Sequence, residues 1–552
     1  MKPFIRILFV SFFVSIASLG FFPRHANAIE PPEPNPKYKG AEVITIAQLE
    51  DYLAFIASDE LEGRDTPSRG LDIAAKFIAT NLSRWGVKPA GDNGTYFQRI
   101  ALNKTTVDTT QTTLEINGQR FNIGADFLGN AYYGTGTASG PLVYVGHGLV
   151  IKAKNIDAFQ GIDVKDKIVV WTSELPAGVT YADFAGPQGE QWENAPHFAA
   201  RHGAKGGISI ASFQTLTSWE QTRKNATING TYTVEKLQTP GEPSIPVISL
   251  SPKAANALFQ NEQVSGAKVF NSAASGEPLP SFAFTIEKKV SLTVAKKTEQ
   301  VFTQNVVGVL EGSDGNLKNE YVALGAHYDH VGAGAPINGD GIYNGADDDG
   351  SGTVSILAIA EALAKGPRPK RSVLFIWHTG EEKGLWGAQY FTRYSTVPLE
   401  KIVAQLNLDM VGRSKKQNDP KPANAELSGS NEIYVIGSKM MSTALGDLSE
   451  TVNESYYKLS FNYKYDDPND PNKFFFRSDH FCYAQKGIPI IFYTDGEHED
   501  YHKVTDQVEK IDFQKMQKVA RTVYATAWEL AGGMKRPVVD KKLPAELTQG
   551  LF

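Results

Sequence analysis

The stretch "NGADDDGSGTVSILAIAEAL", residues 344–363, sets three aspartates, Asp347, Asp348 and Asp349, directly before an apolar run. A run that apolar reads as a buried helix. What it is buried against lies on either side. Upstream, "YVALGAHYDH" (321–330) is an apolar strand that ends in charge, and downstream "RSVLFIWHTGEE" (371–382) does the same. "KIVAQLNLDMVG" (401–412) and "GIPIIFYTD" (487–495) are further strands, "GLWGAQYFTRY" (384–394) is a helix, and "FQKMQKVARTVYATAWELAGG" (513–533) closes the region as an amphipathic helix. Strand, loop and helix in alternation predict an α/β fold. The expected form is a mixed, largely parallel central sheet flanked by helices.

Two local expectations accompany that reading. "NVVGVLEG" (305–312) and "YVALGAHYDH" flank the turn-rich "SDGNLKNE" and look like a hairpin. Residues 413–475, polar and in places rich in Asn, Asp and Lys, read as an excursion over the surface.

Further out the texture changes. "IAQLEDYLAFIASDELEGR" (46–64) and "GLDIAAKFIATNLSRWG" (70–86) carry apolar residues at helical spacing. From 126 to 289, short β-rich runs such as "PLVYVGHGLV", "DKIVVWTSE", "GGISIAS" and "IPVISLS" alternate with loops, and "HFAARHGAKGG" adds a short helix. This reads as a small α/β domain inserted between 29–125 and 290–535, followed by a tail at 536–552. Its His147, His197 and His202 read as surface or loop histidines, since no ionisable cluster there has catalytic spacing. Residues 29–45 are Pro-rich and read as a linker.

The first 28 residues have a basic start, an apolar core and "ANA" at 26–28, the pattern of a secretory signal peptide. No cysteine stands at the cleavage point, and no later segment is apolar enough to span a bilayer, so the expected locale is periplasmic or secreted. The signal carries Lys2, Arg6 and Arg24, so the mature chain is more acidic than the −6 of the full one, which argues against nucleic acid as partner. With 552 residues, 41% of them hydrophobic, the core needs no metal or disulfide to hold it, and the single Cys482 allows no internal disulfide. Oligomeric state is open.

His327, Asp329, Asp347, Glu381, Glu382, Asp409 and His502 all fall just beyond strands. In open α/β sheets the carboxyl ends of the strands line a shared crevice. Carboxylates gathered there repel one another, and burial disfavours their charge further. A cation resolves this, and a nitrogen-and-oxygen donor set suits zinc, with manganese or cobalt as alternatives. Taken singly, each aspartate is better read as a helix cap. A calcium hand is excluded, because its twelfth position is Ala358 instead of Glu.

Together, "GAHYDHVG", "NGADDDGSG", "HTGEEKGLWGAQYF", "LNLDMVG" and "YHKVTDQVEKID" resemble, in order, the motifs of di-zinc aminopeptidases related to secreted bacterial leucyl aminopeptidases and to glutamate carboxypeptidase. "ASDELEGR" and "GVKPAGDNGTYFQ" resemble the family's front segments, and "GIDVKDKIVV", "HGAKGGI" and "IPVISLS" resemble its inserted protease-associated domain. The resemblance implies a zinc exopeptidase fold and a metallo-exopeptidase acting on peptides. One of two zinc ions would take His327 and Asp409, the other Glu382 and His502, with Asp347 bridging. Asp348 and Asp349 would shape the loop or cap the helix. Glu381 would be the general base, Tyr501 the oxyanion stabiliser, and Asp329 the acceptor that orients His327. Asp479 and His480 in "RSDHFCY" would contact substrate. A carboxypeptidase or dipeptidase, using Arg413 or Arg477 for the substrate carboxylate, and a non-catalytic peptide receptor are the alternatives.

Overall fold

A computed structural model describes residues 36–184, 188–238, 243–277, 279–285 and 287–543, so the expected signal peptide and the last nine residues of the tail lie outside the described residues. In chain order the elements used below are α1 (Ile46–Ile56), α2 (Arg69–Arg84), β1 (Phe97–Val107), β2 (Leu142–Tyr144), β3 (Ile168–Thr172), α3 (Ala195–Arg201), β4 (Gly206–Ile210), β5 (Thr231–Val234), β6 (Val247–Leu250) and β7 (Lys296–Leu310). There follow β8 (Tyr321–His327), α4 (Gly352–Lys365), β9 (Ser372–His378), α5 (Trp386–Arg393), β10 (Ile402–Leu408), β11 (Glu432–Ile436), α6 (Thr443–Ser455), β12 (Ser460–Asn462), β13 (Ile490–Thr494) and α7 (Phe513–Ala531).

The main sheet runs β5-β1-β7-β9-β8-β10-β13-β11-β12, with Lys88–Pro89 beside β7. Its four central strands, β9, β8, β10 and β13, are parallel, and antiparallel pairings flank them. Every residue of β9 and β10 is buried, as near-continuous apolar runs in a parallel sheet demand. Alternate residues serve two cores. Val373, Phe375 and Trp377 face α1, α2, α4 and α7, whereas Leu374 and Ile376 face α5 and the segment 474–484.

Three expectations change. β7 and β8 do not form a hairpin: β9 lies between them, antiparallel to β7 and parallel to β8. The chain reaches that place through α4, as parallel neighbours require a crossover. Residues 413–475 are more than a surface excursion, because they add β11, α6 and β12 and bury Ile433, Val435, Leu445 and Val452. The linker's end is also docked, with Tyr38, Ala41 and Ile44 in the core.

The small sheets of the middle region reach beyond residues 126–289. They use strands from Thr113–Ile116 to Val290–Val294, and the Asp108 N–H donates to Ala295 O where β1 and β7 part. One segment leaves that region again: β5 pairs with β1 as the edge of the main sheet. A six-stranded sheet with β2, β3, β4 and β6 parallel to one another forms the domain's centre.

Candidate active site and metal centre

The four parallel strands end together. His327 is the last residue of β8, Glu381 and Glu382 follow β9, Asp409 follows β10, and the turn after β13 carries His498, Tyr501 and His502.

The acidic loop folds so that its three aspartates point to three different places. Gly345 starts it at φ +57°, where a Cβ would sit 2.3 Å from Asp348 O and 2.6 Å from the His330 ring. Asp347 turns away from the strand ends: its Oδ1 accepts the Gly412 N–H at 2.7 Å and its Oδ2 lies 3.2 Å from His498 Nε2. Asp349 ties the frame together. Its Oδ1 accepts the N–H of Gly352, at the start of α4, and that of Met410, while its Oδ2 accepts the His327 N–H. Asp348 alone reaches between the histidines. Its Oδ1 is 3.3 Å from His327 Nε2, and its Oδ2 is 3.1 Å from His502 Nε2. The expected bridge, Asp347, therefore points to Gly412 and His498, and Asp348 is the aspartate that lies between His327 and His502. Asp506 fixes this arrangement by accepting the main-chain N–H of both Asp347 and Asp348.

Around Asp348 the donors form two groups. His330, Asp348, Glu382 and His502 offer atoms within 4.8 Å of one another, and so do His327, Asp349 and Asp409. Glu382 lies 2.7 Å from His330 Nδ1 and 2.9 Å from His502 Nε2, and Asp409 Oδ2 lies 3.6 Å from His327 Nε2. His330 is a member that sequence reasoning missed, although it is the second histidine of "HYDH". Asp329 also departs from its expected role. Its main-chain carbonyl, 3.2 Å from His327 Nδ1, is nearer than its carboxylate at 3.8 Å, and the carboxylate instead accepts the Glu381 N–H.

Electrostatics shows the strain of this packing. Burial raises the Glu381 and Asp349 carboxyls well above the usual range, with neighbouring carboxylates adding to it, and holds Asp329 up to about 7. Burial would raise Asp348 too, but the histidines beside it outweigh that and hold it well below. Asp348 Oδ2, His330 Nε2 and His502 Nε2 are buried without a hydrogen-bond partner. Nitrogen and carboxylate oxygen converging without thiolate, with lone pairs unspent, fit divalent zinc. The fixed cation nearby is Arg64, fully buried, which donates to the carbonyls of Tyr328, Asn344 and Gly345 and so clamps both loops. Burial pulls its guanidinium down to about 10, against the pull of Asp329 and Asp348.

A cavity of about 40 Å³ opens on the cluster, lined by Asp348, Glu381, Asp409, Tyr501, Met410, Phe474, Phe492, Arg477 and Glu497 among others. The Tyr501 ring stacks on His502 at 4.0 Å, and burial keeps its hydroxyl protonated. Asp479 and His480 do not reach this cavity. Asp479 is buried against His378, 3.2 Å from its Nδ1, and His480 stacks on Phe492 and bonds Phe475 O. Their place on the inner face of the segment 474–484 points them into the core, not the crevice.

Residues 305–527 match the profile of peptidase family M28. In that region the chain is similar to the M28 peptidases. A probable leucine aminopeptidase 2 from Aspergillus oryzae is 34% identical over 215 residues, which is 39% of this chain and 38% of that protein. Aminopeptidase YwaD from Bacillus subtilis is 28% identical over 377 residues, 65% of this chain and 72% of that one. The solved structure of a zinc aminopeptidase from Bacillus subtilis superposes with a TM-score of 0.51 at 19% identity, covering 90% of this chain and 99% of the other, and so shares the fold. The chain spans about two fifths of the length of the leucine aminopeptidases it matches.

Proposed function

We propose that this protein is an exported zinc exopeptidase, an aminopeptidase that removes N-terminal residues from peptides. The observation that carries the reading is Asp348, placed between His327 and His502 at the floor of a cavity that also holds Glu381. His327 and Asp409 would hold one zinc, Glu382 and His502 the other, with Asp348 between them and His330 beside Glu382. A zinc pair held there supplies a water of lowered pKa and an electrophile for the scissile carbonyl.

Glu381 does the proton work. Half-buried at the cavity wall, with its carboxyl raised by burial, it takes the proton of the attacking water and passes it to the leaving amine. The Tyr501 hydroxyl, kept protonated by burial, donates to the carbonyl oxygen as charge develops there. Met410, Phe474 and Phe492 form an apolar wall for the N-terminal side chain. The carboxypeptidase alternative loses support: Arg413 is buried on Asp500 at 2.8 Å, and Arg477 at the mouth is paired with Glu497. Carboxylates dominate the cavity, which favours a substrate ammonium. The leader at residues 1–28 supports export to the periplasm or outside, and the motifs quoted above support reading the middle domain as protease-associated.

The deciding experiment replaces Glu381 by Gln and follows hydrolysis of an aminoacyl anilide alongside zinc content. The reading expects turnover to fall by about 10³-fold, within the span of general-base effects, with zinc retained. Unchanged turnover would sink it. Comparing a free dipeptide with its N-acetylated form separates aminopeptidase from carboxypeptidase action, and restoring chelated protein stepwise with zinc counts the ions.

A further inference from the structure

The middle domain has a pocket of its own, of about 280 Å³. It lies where β2, β3 and β4 run out, on the sheet face covered by α3. Trp171 pairs with Ser209 across β3 and β4, and Ser209 with Ser249 across β4 and β6, so these three side chains share that face. The opposite face, with Val170, Ile208 and Ile248, is solid core.

His147, expected at the surface, is instead 6% exposed and lines this pocket. Its Nδ1 faces the carbonyl oxygen of Glu174. A carbonyl only accepts, so Nδ1 carries the hydrogen and, in the neutral ring, Nε2 presents a lone pair. Burial lowers the ring's basicity and so favours that neutral form. Nε2 is buried and has no hydrogen-bond partner in the protein. An unpaired buried acceptor costs stability, so it marks a place where a donor from outside is received.

The rest of the lining says what kind of donor. Glu174 brings the one carboxylate, and no Lys or Arg lines the pocket among the described residues. Trp171 and Tyr133 supply aromatic walls, which favour a cation. Asn194 spends its Oδ1 on the His197 N–H, and Asn130 spends its own on the Tyr132 N–H, which leaves their amide NH₂ groups as donors for a carbonyl. An acceptor, a negative charge and aromatic faces, set opposite amide donors, match a primary ammonium next to a carbonyl. We propose that this pocket is a second binding site for an α-amino group with its adjacent carbonyl, as carried by a free amino acid or by the amino terminus of a peptide.

The test uses the full chain carrying Glu381→Gln, so that probes are not consumed, and calorimetric titration with leucyl-glycine, free leucine and N-acetyl-leucinamide. Two binding events per chain are expected with a free-amine probe. Glu174→Gln should weaken one of them by about ten-fold or more, the loss of a charge-assisted contact, and His147→Phe should abolish it. Each change, made alone in the otherwise unaltered enzyme, should leave anilide hydrolysis within about two-fold, as expected of independent sites. Tighter binding of leucine than of leucyl-glycine at this site assigns it to free amino acids, tighter binding of leucyl-glycine assigns it to peptide amino termini, and equal binding means that it takes both through the shared α-amino group. A single event per chain, a second event indifferent to Glu174→Gln, or equal affinity for the acetylated probe would overturn the proposal.

Discussion

The two crevices of this molecule are built alike and filled differently. Both open where parallel strands end, the proposed active site beyond β8, β9, β10 and β13, the other beyond β2, β3 and β4. The first crowds Asp348, Asp349, Glu381, Glu382 and Asp409 among three histidines. The second holds serines, amides, one histidine and one carboxylate. Sheet topology thus creates the hollow, and the residues at the strand ends decide whether it needs a cation from solution or can remain close to neutral. The carboxylate-rich crevice should depend on metal, and the middle-domain pocket should not.

Chelation is the harshest test of that contrast. Exhaustive removal of metal should abolish anilide hydrolysis, and zinc should restore it, while amino-acid binding at the His147 pocket persists. Loss of both together would erase the distinction. Next in size is the choice between the aspartates. Asp348→Asn should lower kcat/KM by about 10³-fold and weaken zinc retention, because it removes the carboxylate that lies between His327 and His502. Asp347→Asn should cost only about 10- to 100-fold, as for a residue that orients others. A reversed ranking would return the bridge to Asp347.

That ranking also marks the limit of what the sequence discloses. The α/β alternation was legible because buried parallel strands such as "SVLFIWH" must be apolar throughout, and because charge appears at the point where burial stops. His327, Glu381, Glu382, Asp409 and His502 could be placed at strand ends on that ground alone. Which of three adjacent aspartates faces the histidines was not legible. The loop is irregular, with Asp348 at φ −97°, ψ 103° and Asp349 at φ −112°, ψ 48°, so no fixed periodicity assigns its side chains. His330 was passed over because nothing in a single strand end distinguishes a second histidine from a structural one. The hairpin reading of 305–330 failed for a related reason: local turn chemistry says where a chain bends but not which strand later slots between its arms. Within residues 432–462, β12 hid among polar neighbours because it is a three-residue edge strand that is only part covered.

The smallest expected effect concerns the histidines that both regions bury. His147 and His480 are each lowered by burial, His480 to about 3, and neither faces a metal group. An unfolded histidine titrates near 6.5. Between about 6.5 and about 3 the unfolded chain therefore binds a proton at position 480 that the folded chain refuses, and stability is lost as pH falls through that window. The stabilising contribution is complete above pH 6.5 and disappears toward pH 3. One proton per chain sets the slope at no more than about 1.4 kcal/mol per pH unit. His480→Phe keeps an aromatic ring against Phe492 but removes the titration. Its urea midpoint should start lower at pH 7, since the bond to Phe475 O is gone, and then fall less steeply than the parent's between pH 6.5 and 5.5. Parallel slopes would mean that protonation of the catalytic cluster dominates acid unfolding. Repeating both titrations with zinc bound separates the two, because ligation holds the cluster's carboxylates ionised and leaves buried histidines such as His480, which alone differs between the two proteins, free to respond.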